Sequence, residues 1–266
     1  MFKSISWRLW AMLAAALALS GCGMFSSTDP KTSDVEKLYA DARDDMSAGS
    51  WDRAITALER IEGLAAGTLL AQQALLDQGY VHWKTNDRTK AMTALDRFVK
   101  LYPSSPTLDY ALYMRGVVNF NDSLGILSTL SRQNLSERDQ QASRDAHQAF
   151  RELVEQFPDS KYAADARLRM DYIVNTLAEY ELGVARYYFR RGAFVAAANR
   201  AQHALREFQQ APANEEALYI LASSYDKLGL PQLRDDADRV LKRNFPNSRY
   251  LRDGLRVPER AWWQFW

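Results

Sequence analysis

Cysteine occurs once in the 266 residues, as Cys22, so no disulfide can form within the chain and its folded state rests on packing. Glycine and proline are also sparse, at 12 and 8. Ala, Leu, Arg, Gln, Asp and Glu recur instead, which nearly excludes an all-β architecture and favours long helices. Net charge is missing too: 34 Lys and Arg stand against 33 Asp and Glu. No general field would hold the chain on nucleic acid. The three His, His82, His147 and His203, have no His at i+4 and no HExxH, so no zinc site is expected. GxSxG, the P-loop text and GxGxxG are absent, and with them the signatures of a nucleophile or a phosphate cradle. Adjacent acids such as Asp44-Asp45, Glu215-Glu216 and Asp235-Asp236 diverge by about 100° on a helix and read as surface or cap residues. The sequence therefore predicts no catalytic residue, no cofactor and no metal.

What is present begins with a leader. Lys3 and Arg8 precede an uncharged run from Leu9 to Leu19, followed by Ser20, Gly21 and Cys22. That is the layout of a secretory signal. The run reaches about 16 Å as a helix, short of the roughly 30 Å hydrocarbon core, so a permanent span is disfavoured. Leu19-Ser20-Gly21-Cys22 looks like a bacterial lipobox, which makes residues 1–21 a lipoprotein signal peptide and Cys22 the acylated first residue, N-palmitoylated and S-diacylglycerol-modified. One acyl chain holds weakly at about 0.8 kcal/mol per methylene, whereas the three usual for this lipoprotein type hold stably. Gly23 stands where Gram-negative lipoproteins kept in the inner membrane carry Asp, which points to the periplasmic leaflet of the outer membrane. Removal of Lys3 and Arg8 leaves 32 basic against 33 acidic side chains. Residues 22–33 read as a lipidated tether.

The rest is repetitive. Tyr102-Pro103-Ser104-Ser105, Phe157-Pro158-Asp159-Ser160 and Phe245-Pro246-Asn247-Ser248 are related stops, each closing an amphipathic run. Counting back from the proline gives Ala91, Leu95 and Phe98 in one block and Ala146, Phe150 and Leu153 in another, at equal offsets. Partner runs ahead of them place small residues, Gly79 and Gly116, where helices must approach closely. Gly49-Ser50-Trp51 and Gly192-Ala193-Phe194 mark further helix starts after a glycine stop. The unit is about 34 residues. The predicted fold is all-α, a tetratricopeptide-repeat solenoid of about five helix pairs, the fifth degenerate as a terminal cap allows. Between Gly116 and Ala146 lies an insertion, read as a loop followed by a helix N-capped by Ser136. Tyr162–Asn175 reads as an extra helical run. The sequence thus divides into repeats 1–3 over 34–160, an extra helix with repeats 4–5 over 161–258, and an aromatic tail over 259–266.

In such a stack the first helix of each pair lines one wall. Its offsets select Tyr39 in the first repeat, Tyr80 and Trp83 in the second, and Tyr110, Tyr113 and Phe120 in the third, with Gln73 and Leu76 beside them. Wide rings with a polar edge suit an extended peptide of variable sequence; packing between helices is the other use of such a stripe. Farther on, Arg186, Arg190 and Arg200 accompany Tyr187, Tyr188 and Phe189, a composition of protein interfaces; a solvated face with pairs such as Glu181 with Arg186 is the alternative. Arg200, flanked by Ala198 and Ala201, should seek a carboxylate. Trp262, Trp263 and Trp266 end the chain, and a membrane interface, a partner or the protein's own surface are all open to them.

The lipobox, the helical repeats, the insertion in the third repeat and the stops Phe157-Pro158-Asp159-Ser160-Lys161-Tyr162 and Phe245-Pro246-Asn247-Ser248-Arg249-Tyr250 together resemble the BamD family of the β-barrel assembly (BAM) machinery, across residues 17–250. The resemblance implies a non-enzymatic scaffold at the periplasmic face of the outer membrane. Its N-terminal repeats would receive unfolded outer-membrane protein segments through Tyr39, Tyr80, Trp83 and Tyr113. Its C-terminal repeats would bind the POTRA domains of BamA, with Arg200 as an ion-pair donor, alongside other lipoproteins of the complex. A repeat lipoprotein serving peptidoglycan enzymes or a pilus secretin would share anchor and repeats. A lipid-anchored hydrolase would need a clustered nucleophile and base, and none is found.

Overall fold

Apolar residues recurring every three or four positions, punctuated by short links, fold into eleven helices with no strand among the described residues. The computed structural model describes residues 32–120 and 137–255. The expected signal peptide, Cys22, most of the tether, residues 121–136 of the insertion, Ser136 among them, and the aromatic tail lie outside them. In chain order the helices are α1 (Thr32–Ser47), α2 (Trp51–Leu64), α3 (Leu69–Lys84), α4 (Arg88–Leu101), α5 (Leu108–Asn119) and α6 (Glu137–Gln156). There follow α7 (Ala163–Arg190), α8 (Phe194–Glu207), α9 (Asn214–Lys227), α10 (Pro231–Asn244) and the short α11 (Arg249–Asp253). Taken in order they make five pairs, as the repeat count predicts. The described residues divide into two compact units, one ending at Val81 and the other beginning at His82, the boundary falling inside α3.

Two backbone turns recur. Within a pair, the first helix of four pairs ends in a residue at positive φ: Gly49 (72°), Asn86 (60°), Gly192 (75°) and Gly229 (71°). At the first, Gly49 N–H donates to the Met46 carbonyl at 3.2 Å and Ser50 N–H to that of Asp45 at 2.8 Å. This double closure satisfies carbonyls that the helix end would otherwise leave bare. The same two bonds form at Asn86, where Asn86 N–H meets the Trp83 carbonyl at 3.0 Å and Asp87 N–H that of His82 at 2.8 Å. Asparagine tolerates the left-handed region well enough to replace glycine there. Asp87 then caps α4, its carboxylate accepting from Lys90 N–H at 3.0 Å.

Between pairs the second turn appears. Phe157 N–H donates to the Leu153 carbonyl at 2.8 Å and Ser160 N–H returns to the Phe157 carbonyl at 3.0 Å. Phe245 with Leu241 and Ser248 repeats it at 2.8 and 3.0 Å, and Tyr102 with Phe98 and Ser105 at 2.9 and 3.0 Å. Two links that lack an aromatic-proline text make it as well: Phe208 with Ala204 and Ala211, and Ala65 with Ile61 and Thr68. Proline after the aromatic forbids helix continuation, yet the turn itself is a backbone arrangement open to other residues.

In the first unit Val35, Ala42, Ala54, Leu58, Ile61, Ala74 and Val81 form one buried cluster, against which Tyr39, Met46, Trp51 and Tyr80 pack. In the second, the residues at equal offsets, Ala91, Leu95 and Phe98 with Ala146, Phe150 and Leu153, are all fully buried. Helix α6 packs on both α5 and α7, and α8 on both α7 and α9. Tyr162–Asn175 is not a separate helix. No glycine or proline interrupts the chain between Ala163 and Leu182, so the run continues into the first helix of the fourth pair as the 28-residue α7.

Gly116 on α5 marks a close approach of two helices. A Cβ built there would lie 2.3 Å from the Phe150 ring of α6. Overpacking of this kind costs about 1–3 kcal/mol, so Gly116→Ala should lower the thermal unfolding midpoint measured by circular dichroism. Gly183→Ala, with nothing within 4 Å of the added atom, should leave it unchanged or raise it.

Candidate functional site

The wall positions selected by the repeat offsets are held by hydrogen bonds the sequence does not reveal. On α1, Tyr39 is half-buried and its hydroxyl donates to Asp77 Oδ2 at 2.7 Å, while Gln73 Nε2 donates to Asp77 Oδ1 at 3.0 Å. Asp77 is the only acid in α3, four residues after Gln73 and therefore one turn on. Burial raises its carboxyl above the usual range despite those two donors. Burial and the neighbouring carboxylate raise the Tyr39 phenol too. The Tyr39 oxygen is thus committed to the fold, and only its ring remains to be offered. Leu76 is fully buried and belongs to the core. Tyr80 and Trp83 are half-buried, with the Lys84 ammonium 5.4 Å from the Trp83 ring.

In the second unit the aromatics gather. Tyr113 of α5 stacks on Tyr162, ring centroids 4.8 Å apart, and Tyr110 lies 5.5 Å from the same ring. Phe120 meets Tyr172 of α7 edge-on at 5.6 Å and carries the Arg169 guanidinium 4.8 Å above its face. The Tyr113 hydroxyl donates to Asp165 Oδ2 at 2.7 Å, and Arg169 Nε to the same oxygen at 2.6 Å. Burial would raise the Asp165 carboxyl, but those two donors outweigh it and hold the group low. Tyr162 comes from the stop motif, so that motif supplies a ring to this cluster as well as a turn. The second copy behaves alike, with Tyr250 stacked on Tyr219 at 5.7 Å.

Arg186 and Arg200 find their carboxylates within the chain. Arg186 forks onto Glu216 of α9, Nη2 to Oε2 at 3.0 Å with Nε on Oε1, and reaches Glu179 at 3.3 Å. Arg200 Nη1 donates at 3.0 Å to Glu181 of α7, whose other oxygen faces His203 Nε2 at 3.8 Å. The pair Glu181–Arg186 does not form, because five residues along a helix turn the two side chains about 140° apart. Arg190, the last residue of α7, is exposed. Glu216 corrects the reading of adjacent acids as surface groups. It is 6% exposed and also accepts from the Tyr250 hydroxyl at 2.6 Å, so it joins α7, α9 and α11. Helix geometry makes two adjacent acids diverge, and here one of them diverges inward.

Among the described residues no group of three or more His, Cys, Asp or Glu is placed to hold a metal ion, and no helix is long and apolar enough to cross a membrane. Helix pairs of about 34 residues, joined by recurring turns and tied through their first helices, define a tetratricopeptide-type repeat protein. The profile of the YfiO family, described as an outer membrane lipoprotein, matches residues 31–241. Outer membrane protein assembly factor BamD of Neisseria meningitidis serogroup B is 44% identical over 96% of this chain and 97% of its own length. The proteins of that name from Xylella fastidiosa and Haemophilus influenzae are each 32% identical, over 92% and 88% of this chain and 84% and 89% of their own. The chain belongs to this YfiO/BamD family. Among solved structures, the crystal structure of MamA is similar at a TM-score of 0.37 and 16% identity, over 85% of this chain and 98% of that one.

Two outcomes test this geometry. Tyr39→Phe removes a donor from buried Asp77 and should cost about 1–3 kcal/mol, read by denaturant unfolding, while a surface change such as Lys90→Gln should not. Burial works to raise the Glu216 carboxyl, but the Arg186 and Tyr250 hydrogen bonds and the Arg186 charge prevail and lower it. A folded value below the unfolded one, about 4.3, gives stability that is present above that pH and lost as pH falls through the folded value. Glu216→Gln should therefore be less stable than wild type at neutral pH. Melting curves of the two taken down through pH 4.3 should converge.

Proposed function

We propose that this chain is a lipid-anchored, non-enzymatic scaffold at the periplasmic face of the outer membrane. It binds the POTRA region of BamA and other lipoproteins of the BAM complex, and receives unfolded outer-membrane protein segments for folding and insertion. The observation that carries this reading is the 44% identity to an outer membrane protein assembly factor over 96% of the chain. Cys22 would carry the N-palmitoyl and S-diacylglycerol groups, which suits a chain whose described helices include none able to span a bilayer.

The geometry supports a division of labour. Tyr39 and Tyr80 in the first unit, and Trp83, Tyr110, Tyr113 and Phe120 in the second, would each offer rings to a client, and they suit varied segments because a ring face binds without reading a particular hydrogen-bond pattern. For Tyr39 and Tyr113 that restriction is built in, since their hydroxyls are occupied. On the partner-binding side the exposed Arg190, which has no carboxylate partner among the described residues, would make direct contact. Arg186 and Arg200 would act by fixing α7 against α9 and α8, so that Arg200→Glu sets two carboxylates together at Glu181 and disturbs the fold as well as any interface.

The test is gentle solubilisation of outer membranes and recovery of the tagged full chain with Arg190→Glu and Cys22→Ala variants beside it. A POTRA-containing barrel protein should co-purify, Arg190→Glu should weaken its recovery several-fold at unchanged melting temperature, and Cys22→Ala should leave the membrane fraction. Recovery of peptidoglycan enzymes or a secretin in place of the barrel protein would overturn the assembly reading.

A further inference from the structure

The C-terminal end of the second unit contains a cavity of about 630 Å³ between α9, α10 and α11, within the size range of small-molecule sites. Its lining is mixed, and the mixture has an order. Leu241 is fully buried and Ala222 and Tyr250 are nearly so, while Asp226, Lys227 and Lys242 are exposed. Apolar surface therefore lies at the depth and charge at the mouth. Three cations and two carboxylates line the cavity. Asp226 holds Arg234 at 3.1 Å, and Asp238 holds Lys242. Lys227 has no carboxylate partner among the described residues, so it is the surplus positive charge.

The wall on α9 carries a row of donors. Tyr219, Ser223 and Lys227 follow at four-residue steps, one turn apart on one face, over about 12 Å of helix. Neither the Tyr219 nor the Ser223 hydroxyl has a hydrogen-bond partner among the described residues. The Tyr250 hydroxyl differs, being committed to Glu216 at 2.6 Å, and that ring offers the cavity only its apolar surface. Gly254 keeps the wall beside Tyr219 clear. It adopts φ 68° and ψ −167°, a conformation open essentially to glycine alone, and a Cβ on it would stand 3.1 Å from the Tyr219 hydroxyl. One carboxylate can take the Lys227 ammonium and the Ser223 hydroxyl together, because side chains four apart on a helix are neighbours. The depth below suits a flat apolar ring. A second negative charge on the ligand would meet Asp226 and Asp238, so the lining fits one.

We propose that this cavity binds a small aromatic monocarboxylate, with the carboxylate on Lys227 and Ser223 and the ring against Leu241 and Tyr219. This ligand site is independent of the assembly reading and stands or falls without it. The probe is indole-3-acetate, titrated calorimetrically into the full chain in dodecyl maltoside, with empty micelles as the blank. Indole-3-acetamide, the same ring without the charge, is titrated beside it. The acetate should bind saturably and at least fivefold more tightly than the amide. Lys227→Met, a change at an exposed position, should bring the acetate down to the affinity of the amide and leave the amide unchanged. Ser223→Tyr, which fills the cavity from its wall, should abolish binding of both at unchanged melting temperature. Absence of saturable acetate binding, equal affinity for the two probes, or an unchanged acetate affinity in Lys227→Met would overturn the proposal. So would binding that survives in a folded Ser223→Tyr variant.

Discussion

A carboxylate on the first helix of one pair, taking a donor from a neighbouring first helix, is the contact on which the described arrangement depends. Asp77 takes the Tyr39 hydroxyl in the first unit; Asp165 takes Tyr113, and Glu216 takes Arg186, in the second. The cores around these contacts are rich in alanine and leucine, and apolar contact of that kind is proportional to area and indifferent to direction. Hydrogen bonds to an acid are directional, and leaving one unmade in a buried place is costly. The apolar face therefore brings the helices together while the acid fixes which turn of one meets which turn of the next.

How much of this was legible follows from sequence distance. The equal-offset apolar residues, the glycine stops and the aromatic-proline stops are local patterns, and each marked a helix or a turn correctly. Asn86, Phe208 and Ala65 carry no such local pattern, because the turns they make are defined by backbone bonds with which several side chains are compatible. The carboxylate contacts were invisible for a different reason. Tyr39 and Asp77 are 38 residues apart, Tyr113 and Asp165 52, Arg186 and Glu216 30, and no local periodicity pairs positions at such separations. Glu216 shows the error this invites: beside Glu215 it looks like one of a solvated pair, and only the position of α7 and α11 shows that it is enclosed.

The aromatic stripe selected from the sequence turned out to be neither purely core nor purely surface. Tyr113 and Tyr110 share the ring of Tyr162, and Phe120 lies beneath a guanidinium. These side chains are therefore pre-ordered. A surface whose rings are fixed beforehand loses little rotamer freedom when it is covered.

The length of α7 has a further consequence. Its N-terminal half supplies Tyr172 to the aromatic cluster, and its C-terminal half supplies Arg186 to the Glu216 contact. Fourteen residues of unbroken helix separate the two, about 21 Å at 1.5 Å per residue. The helix is in effect a ruler. An extended polypeptide advances about 3.3 Å per residue, so a segment that engaged both places at once would need six or seven residues between its anchors, a spacing that no change in loop length elsewhere would alter.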